Sequence, residues 1–162
     1  MKKIYVIIAF IALMFSIKSN AQISKAEIRA TGLTCSMCSN AINKQLKSMS
    51  EVDNVETDLN TNTFTVTLKK GNTLSPKVFK DKVEKAGFFI GSLILTAKSE
   101  TVSESAYILV NEKKSTATEV EFQVVDKGYV TGKEFKKLSK SYKNIATYIA
   151  NNEDDFHIKI LN

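Results

Sequence analysis

Apolar and polar positions alternate with a period of two in several stretches of the first half of the chain. Ala26, Ile28 and Ala30 alternate with charged residues, and the same alternation runs through 63–68, where threonines take the polar positions. This pattern predicts half-buried β-strands, since successive side chains of a strand point to opposite faces. The predicted strands of this half lie at about 24–31, 52–59, 63–68 and 88–96.

Between these strands, apolar residues recur every three or four positions, which predicts two amphipathic helices. The first stripe lies in 38–49 and places a helix at about 36–50; the second lies in 78–86. Ser75 and Pro76 are typical of a helix start, and Gly87 is typical of the position just after a helix end. The resulting order, βαββαβ, predicts a ferredoxin-like sandwich with both helices on one face of an antiparallel sheet.

The second half predicts a smaller α+β unit. Alternation predicts strands at 106–110, 120–125 and 156–160, with one helix between the last two. Thr131 and Glu134 match a capping box at the start of this helix, and helical spacing continues to Ile149. We expect a partly open β-barrel with one helix as the arrangement of this unit.

The first 21 residues have the features of a secretory signal peptide. Lys2 and Lys3 precede an almost wholly apolar run at 4–15, and small residues end at Ala21. We therefore expect an exported protein, periplasmic or extracellular, that is not inserted in a membrane after cleavage; an uncleaved N-terminal anchor is the alternative. The predicted division of the chain is a signal peptide at 1–21, a first domain at 22–97, a linker at 98–105 and a second domain at 106–162.

The overall charge does not indicate a nucleic-acid partner. Removing Lys2, Lys3 and Lys18 with the signal lowers the 23 basic residues to 20, against 17 acidic ones. The lysines are scattered, and no aromatic stacking platform is interleaved with them. Because no group of residues resembles a catalytic constellation, we do not expect an enzyme.

Both cysteines of the chain lie between the first strand and the first helix, three positions apart. Cys35 is expected in the loop, and Cys38 in the first helical turn. Unpaired N–H groups at a helix start carry partial positive charge, which favours the thiolate over the thiol. Two soft thiolates suit a soft ion, and Cu(I) fits best because sulfur ligands select it.

The segment Gly32-Leu33-Thr34-Cys35-Ser36-Met37-Cys38 resembles the Gly-Met-Thr-Cys-x-x-Cys loop of heavy-metal-associated domains. Such domains occur in copper chaperones, in copper-transporting ATPases and in periplasmic mercury-binding proteins. The resemblance covers about 23–97. It implies a metal ion held by Cys35 and Cys38, with Cu(I) favoured and Hg(II), Zn(II) and Cd(II) as alternatives. The implied partner is a metal transporter or another metal-binding domain.

The chain departs from the family pattern at three positions. Leu33 replaces the loop methionine, which points inward in the family, and leucine keeps its volume. Phe88 stands where the family often has tyrosine or lysine near the metal, so it can shield the site without donating a hydrogen bond. Thr34 stands where zinc-preferring relatives often carry a carboxylate.

The cysteines allow two other functions. In an exported protein a CxxC pair can form a disulfide, so the chain could be a thiol–disulfide redox protein. It could also be a protein-interaction module with incidental cysteines. Met37 and His157 are further candidate metal ligands, but we expect both to be exposed residues without that role. His157 falls on the polar face of its predicted strand.

Overall fold

A computed structural model describes residues 22–104, 107–111, 115 and 117–162. The predicted signal peptide lies outside these residues. Along the chain the strands are β1 (Ile23–Thr31), β2 (Val52–Asp58), β3 (Thr63–Leu68), β4 (Phe89–Lys98), β5 (Tyr107–Leu109), β6 (Glu119–Val124) and β7 (Phe156–Ile160). The helices are α1 (Ser36–Lys47), α2 (Pro76–Lys85), α3 (Ser99–Glu104), α4 (Gly132–Ser141) and α5 (Ala146–Ala150).

The first half folds into the predicted ferredoxin-like arrangement. Its four strands lie in the order β2-β3-β1-β4, and every neighbouring pair is antiparallel. Ala26 and Ile28 of β1 lie opposite Val66 and Phe64 of β3, and all four side chains are buried. Helices α1 and α2 contact each other and supply the other half of this core. Their fully buried side chains are Ile42, Leu46, Phe79 and Val83.

The strands of the second half extend this same sheet. Strand β6 pairs antiparallel with β4 over Leu93–Lys98, β7 pairs antiparallel with β6, and β5 is parallel to β7. Within the described residues the sheet therefore has seven strands, is open, and is not closed into a barrel. Strand pairing alone does not decide where one folding unit ends, so the division into two domains stays a prediction.

Helices α4 and α5 cover the sheet face opposite to α1 and α2. Phe122 and Val124 of β6 lie opposite buried residues of β4, so Gln123 between them points to the other face. There its amide nitrogen lies 3.5 Å from Oε1 of Glu134 in α4. His157 of β7 is on this face too, beneath Tyr148 of α5, with a ring-to-ring distance of 5.1 Å. The second half thus adds three strands to the sheet and places α4 and α5 as a layer on its other face.

One local prediction in the second half was wrong, and another segment is more ordered than expected. The polar stretch 98–105, predicted as a linker, contains α3, whose Val102 is only 9% exposed. The single helix expected to run from Thr131 to Ile149 is two helices, with Ile145 in an extended conformation between them. The break turns the Tyr148 hydroxyl inward, where it donates to the carbonyl oxygen of Val125 at 2.8 Å.

No helix of the described residues combines the length and the apolar character needed to span a membrane.

Candidate metal centre

The loop between β1 and α1 places both cysteines at one end of the sheet. Strand β1 ends at Thr31, and Gly32 then turns the chain with a φ of +84°, a conformation that favours glycine. Cys35 is the N-cap residue of α1, in an extended conformation, and Cys38 lies in the first helical turn. Both thiols are free; Cys35 is exposed and Cys38 is half-buried. The predicted positions of the two cysteines are confirmed.

The start of α1 favours a negative charge on these sulfurs. The N–H groups of Cys38 and Ser39 both donate to the carbonyl oxygen of Cys35, at 3.1 and 3.4 Å, which fixes the first turn. The first turn contains no acidic side chain that would oppose the helix dipole. A hydrogen bond with the Cys35 thiol, helped by main-chain groups of the loop, lowers the pKa of the Cys38 thiol. The loop can therefore present a thiolate for binding or for nucleophilic attack.

Two apolar side chains support the loop from inside. Leu33 and Phe88 are partly buried and pack against the core of the first half. Phe88 also lies beside the loop: its Cδ1 atom is 3.9 Å from the point where a Cβ of residue 32 would be. Leucine thus takes the inward position that the family gives to methionine. Phe88 adds bulk near the cysteines without a polar group.

Met37 points away from this support. Its side chain is 81% exposed, as expected from the sequence. Nothing within the described residues groups three or more His, Cys, Asp or Glu side chains around a possible metal position. Of the protein side chains that could bind a soft ion here, the structure therefore brings together Cys35 and Cys38.

His157, expected to be exposed, is fully buried. Its Nδ1 lies 2.7 Å from Oδ1 of Asp126, and its Nε2 lies 2.9 Å from Oγ1 of Thr147. The other carboxylate oxygen of Asp126 accepts the backbone N–H of His157 at 2.7 Å. Burial raises the pKa of Asp126, and the hydrogen bonds from His157 act against that rise. The prediction was wrong because α5 covers the face of β7 that the alternation marks as polar.

The sequence also missed a groove at the same end of the sheet as the cysteine loop. It has a volume of about 980 Å³ and lies between α2 and the 126–136 segment. Aromatic walls come from the exposed Phe89, the half-buried Phe135 and the largely buried Tyr129. Several charged groups of the lining are paired with each other. Lys77, for example, lies 2.8 Å from Glu153. Sequence periodicity carries no signal for such a groove, because its walls come from segments far apart in the chain.

Residues 27–89 match the family model described as the heavy-metal-associated domain. Among solved structures, the yeast copper transporter domain Ccc2a, determined in the apo and Cu(I) states, is 30% identical; the match covers 41% of this chain and 90% of that one, with a TM-score of 0.37. The N-terminal domain of a potential copper-translocating P-type ATPase from Bacillus subtilis, in the Cu(I)-loaded state, is 32% identical, with coverages of 41% and 81% and a TM-score of 0.37.

A chain of the Atx1–Cu(I)–Ccc2a complex is similar at 32% identity, over 42% of this chain and 89% of that one, with a TM-score of 0.36. No curated protein matches the chain. The match to the family model, rather than these low TM-scores, identifies the domain.

Proposed function

The chain belongs to the heavy-metal-associated family through its residues 27–89, and on that premise we propose that it captures Cu(I) with Cys35 and Cys38 and transfers it to a partner. The observation that carries the proposal is the placement of two free thiols at the start of α1, one exposed and one half-buried. Thiolates select Cu(I) over harder ions. Hg(II), Zn(II) and Cd(II) are the alternative cargoes.

Transfer follows from the exposure of the loop. An ion bound by two sulfurs at the surface can accept a thiolate of the partner before it loses one of its own. The ion then passes between proteins without being released as a free ion. The partner in this proposal is a metal transporter or another metal-binding domain that presents its own thiolates. The protein acts as a carrier and not as an enzyme.

A Cu(I) titration tests the binding step. The reduced protein is titrated anaerobically against a chromophoric Cu(I) ligand, and we expect one equivalent of tightly bound ion. Cys35→Ser and Cys38→Ser each remove one thiolate and are expected to abolish tight binding. Met37→Leu, between them in sequence, is the matched control and keeps the full equivalent. A single cysteine variant that still holds one equivalent would contradict a two-thiolate site.

The alternative redox function requires Cys35 and Cys38 to form a disulfide instead of binding a metal ion. A disulfide between Cys35 and Cys38 removes both metal ligands, so metal binding and oxidation are mutually exclusive. Free thiols and bound Cu(I) are measured together across a series of glutathione redox buffers, and we expect both to fall in parallel. Repeated disulfide transfer to a reduced substrate protein, with no stable Cu(I) complex, would support the redox function instead.

We further propose that this transfer takes place outside the cytoplasm. The basis is the charged start, the apolar run at 4–15 and the small residues before Gln22. Mass spectrometry of the protein from the exported fraction is expected to find a mature chain that begins near Gln22. Recovery of an intact chain from Met1 in the membrane fraction would contradict cleavage.

A further inference from the structure

The exposed face of α4 carries the densest positive charge of the described residues. Over 132–143 the chain has five lysines and one acidic residue. The side chains of the five lysines are all exposed; these residues are Lys133, Lys136, Lys137, Lys140 and Lys143. The acidic residue, Glu134, is half-buried and turned toward Gln123 of the sheet, 3.5 Å away. The solvent-facing side of the helix is therefore positively charged.

The lysines, which look scattered along the whole sequence, form a band on this helix. With 3.6 residues per turn, Lys133, Lys136, Lys137 and Lys140 fall within about a third of the helix circumference. The half-buried apolar side chains Phe135 and Leu138 fall on the opposite side, where the Phe135 ring lies 5.7 Å from the ring of Tyr148 in α5. Among the described residues, none of these lysines has a carboxylate within ion-pair distance. The band keeps its charge available for a partner outside the chain.

From this band we propose that α4 is a docking surface for anionic membrane lipids. Four to eight basic residues along one face of an amphipathic helix are typical of binding to anionic lipid headgroups. Lys136 also lines the groove beside α2, whereas Lys133, Lys137 and Lys140 lie outside it. A convex row of exposed charges fits the diffuse charge of a lipid surface better than it fits one specific anion. No exposed aromatic side chain is interleaved with the lysines for base stacking, which disfavours a nucleic acid.

The position of α4 places this surface next to the metal centre. Its N-cap residue, Thr131, and Thr31 at the end of β1 both lie against Gly91: their Cγ2 atoms are 3.6 and 2.5 Å from the point where a Cβ of residue 91 would be. Thr31 immediately precedes the cysteine loop. The helix thus begins at the end of the sheet that carries Cys35. Lipid binding itself does not depend on the function proposed for the cysteines.

The test is vesicle co-sedimentation with the full mature chain. We expect it to sediment with phosphatidylcholine vesicles that contain phosphatidylglycerol, to remain in solution with pure phosphatidylcholine, and to be released as salt is raised. Replacing Lys133, Lys136, Lys137 and Lys140 by Gln is expected to weaken the partition by about fivefold for each lysine removed.

The matched control removes the same amount of charge elsewhere. Lys44, Lys47, Lys70 and Lys98 are also exposed, and their replacement by Gln is expected to leave the partition within about twofold of the original. Equal loss in both variants would overturn the proposal, because net charge and not the α4 face would then be responsible. Equal sedimentation with uncharged vesicles would overturn it as well. Binding to polyglutamate without binding to either kind of vesicle would assign the face to an acidic protein instead.

Discussion

The imidazole of His157 and the carboxylate of Asp126 form a buried pair, with Nδ1 and Oδ1 2.7 Å apart. Asp126 follows the end of β6, and His157 lies in β7. Thr147 of α5 completes the network at the other ring nitrogen. The three hydrogen bonds of His157 connect β7 to the segment after β6 and to α5. The single histidine of the chain is therefore committed to packing and is not available to the metal centre.

We expect His157→Ala to destabilise the protein without changing its metal content. The substitution leaves the buried Asp126 carboxylate without its ring partner and opens a cavity, so the free energy of unfolding should fall by about 3 kcal/mol. Lys159→Ala, on the same face of β7 but exposed, is the control and should cost less than about 0.5 kcal/mol. Urea unfolding measures both. Loss of the Cu(I) equivalent in a folded His157→Ala protein would show that the histidine is a ligand.

Gly91 allows β4 to pass close to Thr31. A Cβ at this position would lie 2.5 Å from Cγ2 of Thr31 and 3.4 Å from the carbonyl oxygen of Arg29. We expect Gly91→Ala to lower the free energy of unfolding by about 2 kcal/mol, because the added methyl overpacks this contact.

Thr31→Ser tests the cause of that loss. The change removes the obstructing methyl but keeps the hydroxyl that donates to the carbonyl oxygen of Phe89. The double variant Gly91→Ala, Thr31→Ser should therefore be more stable than Gly91→Ala alone. Gly132→Ala, which meets no atom within 4 Å, is the control. Additive effects of the two substitutions in a double-mutant cycle would contradict a direct contact.

The N-caps of α2 and α4 provide a comparison of two helix starts. Thr131 accepts the backbone N–H of Glu134 with its hydroxyl at 3.2 Å, whereas the Ser75 side chain makes no capping hydrogen bond. Thr131→Ala should therefore lower the free energy of unfolding by about 1 kcal/mol, and Ser75→Ala should lower it clearly less. Thermal or urea unfolding of the two variants measures the difference. A larger loss of stability for Ser75→Ala than for Thr131→Ala would contradict the conclusion that only the Thr131 side chain caps its helix.

Burial of tyrosine rings predicts a loss of stability in alkali. Burial raises the pKa of Tyr129 and Tyr148 above the ordinary tyrosine value of about 10. The folded state therefore keeps protons that the unfolded state has lost at higher pH. By linkage, stability is unaffected below pH about 10 and falls above it, by at most about 1.4 kcal/mol per pH unit for each tyrosine.

Absorbance of tyrosinate and far-ultraviolet circular dichroism are followed together during a base titration. We expect the buried tyrosines to ionise only as the chain unfolds. Tyr148→Phe should reduce the alkaline loss, although it also removes the hydrogen bond to the carbonyl of Val125. Ionisation of all tyrosines at the ordinary pKa in a protein that stays folded would contradict their burial.

Local sequence signals determined most of the elements and the position of the cysteine pair. The alternation at 63–68, the Ser75-Pro76 start and Gly87 each act over a few neighbouring residues, and the strand and helix that they predict are present. The same holds for the Thr131 cap. Cys35 and Cys38 lie where the strand-to-helix transition placed them. These features depend on backbone preferences and on a period that the chain carries by itself.

The tertiary structure alone decided that the polar side of β7 is also buried at His157. A period of two separates the faces of a strand, but it does not say that a second layer will cover the polar one. Only α5, brought back over the sheet by the break at Ile145, encloses His157 and supplies Thr147 and Tyr148 as its neighbours. The groove beside α2 and the contact of Thr31 with Gly91 have the same origin. Each depends on residues distant in sequence, whose approach is set by packing and not by local pattern.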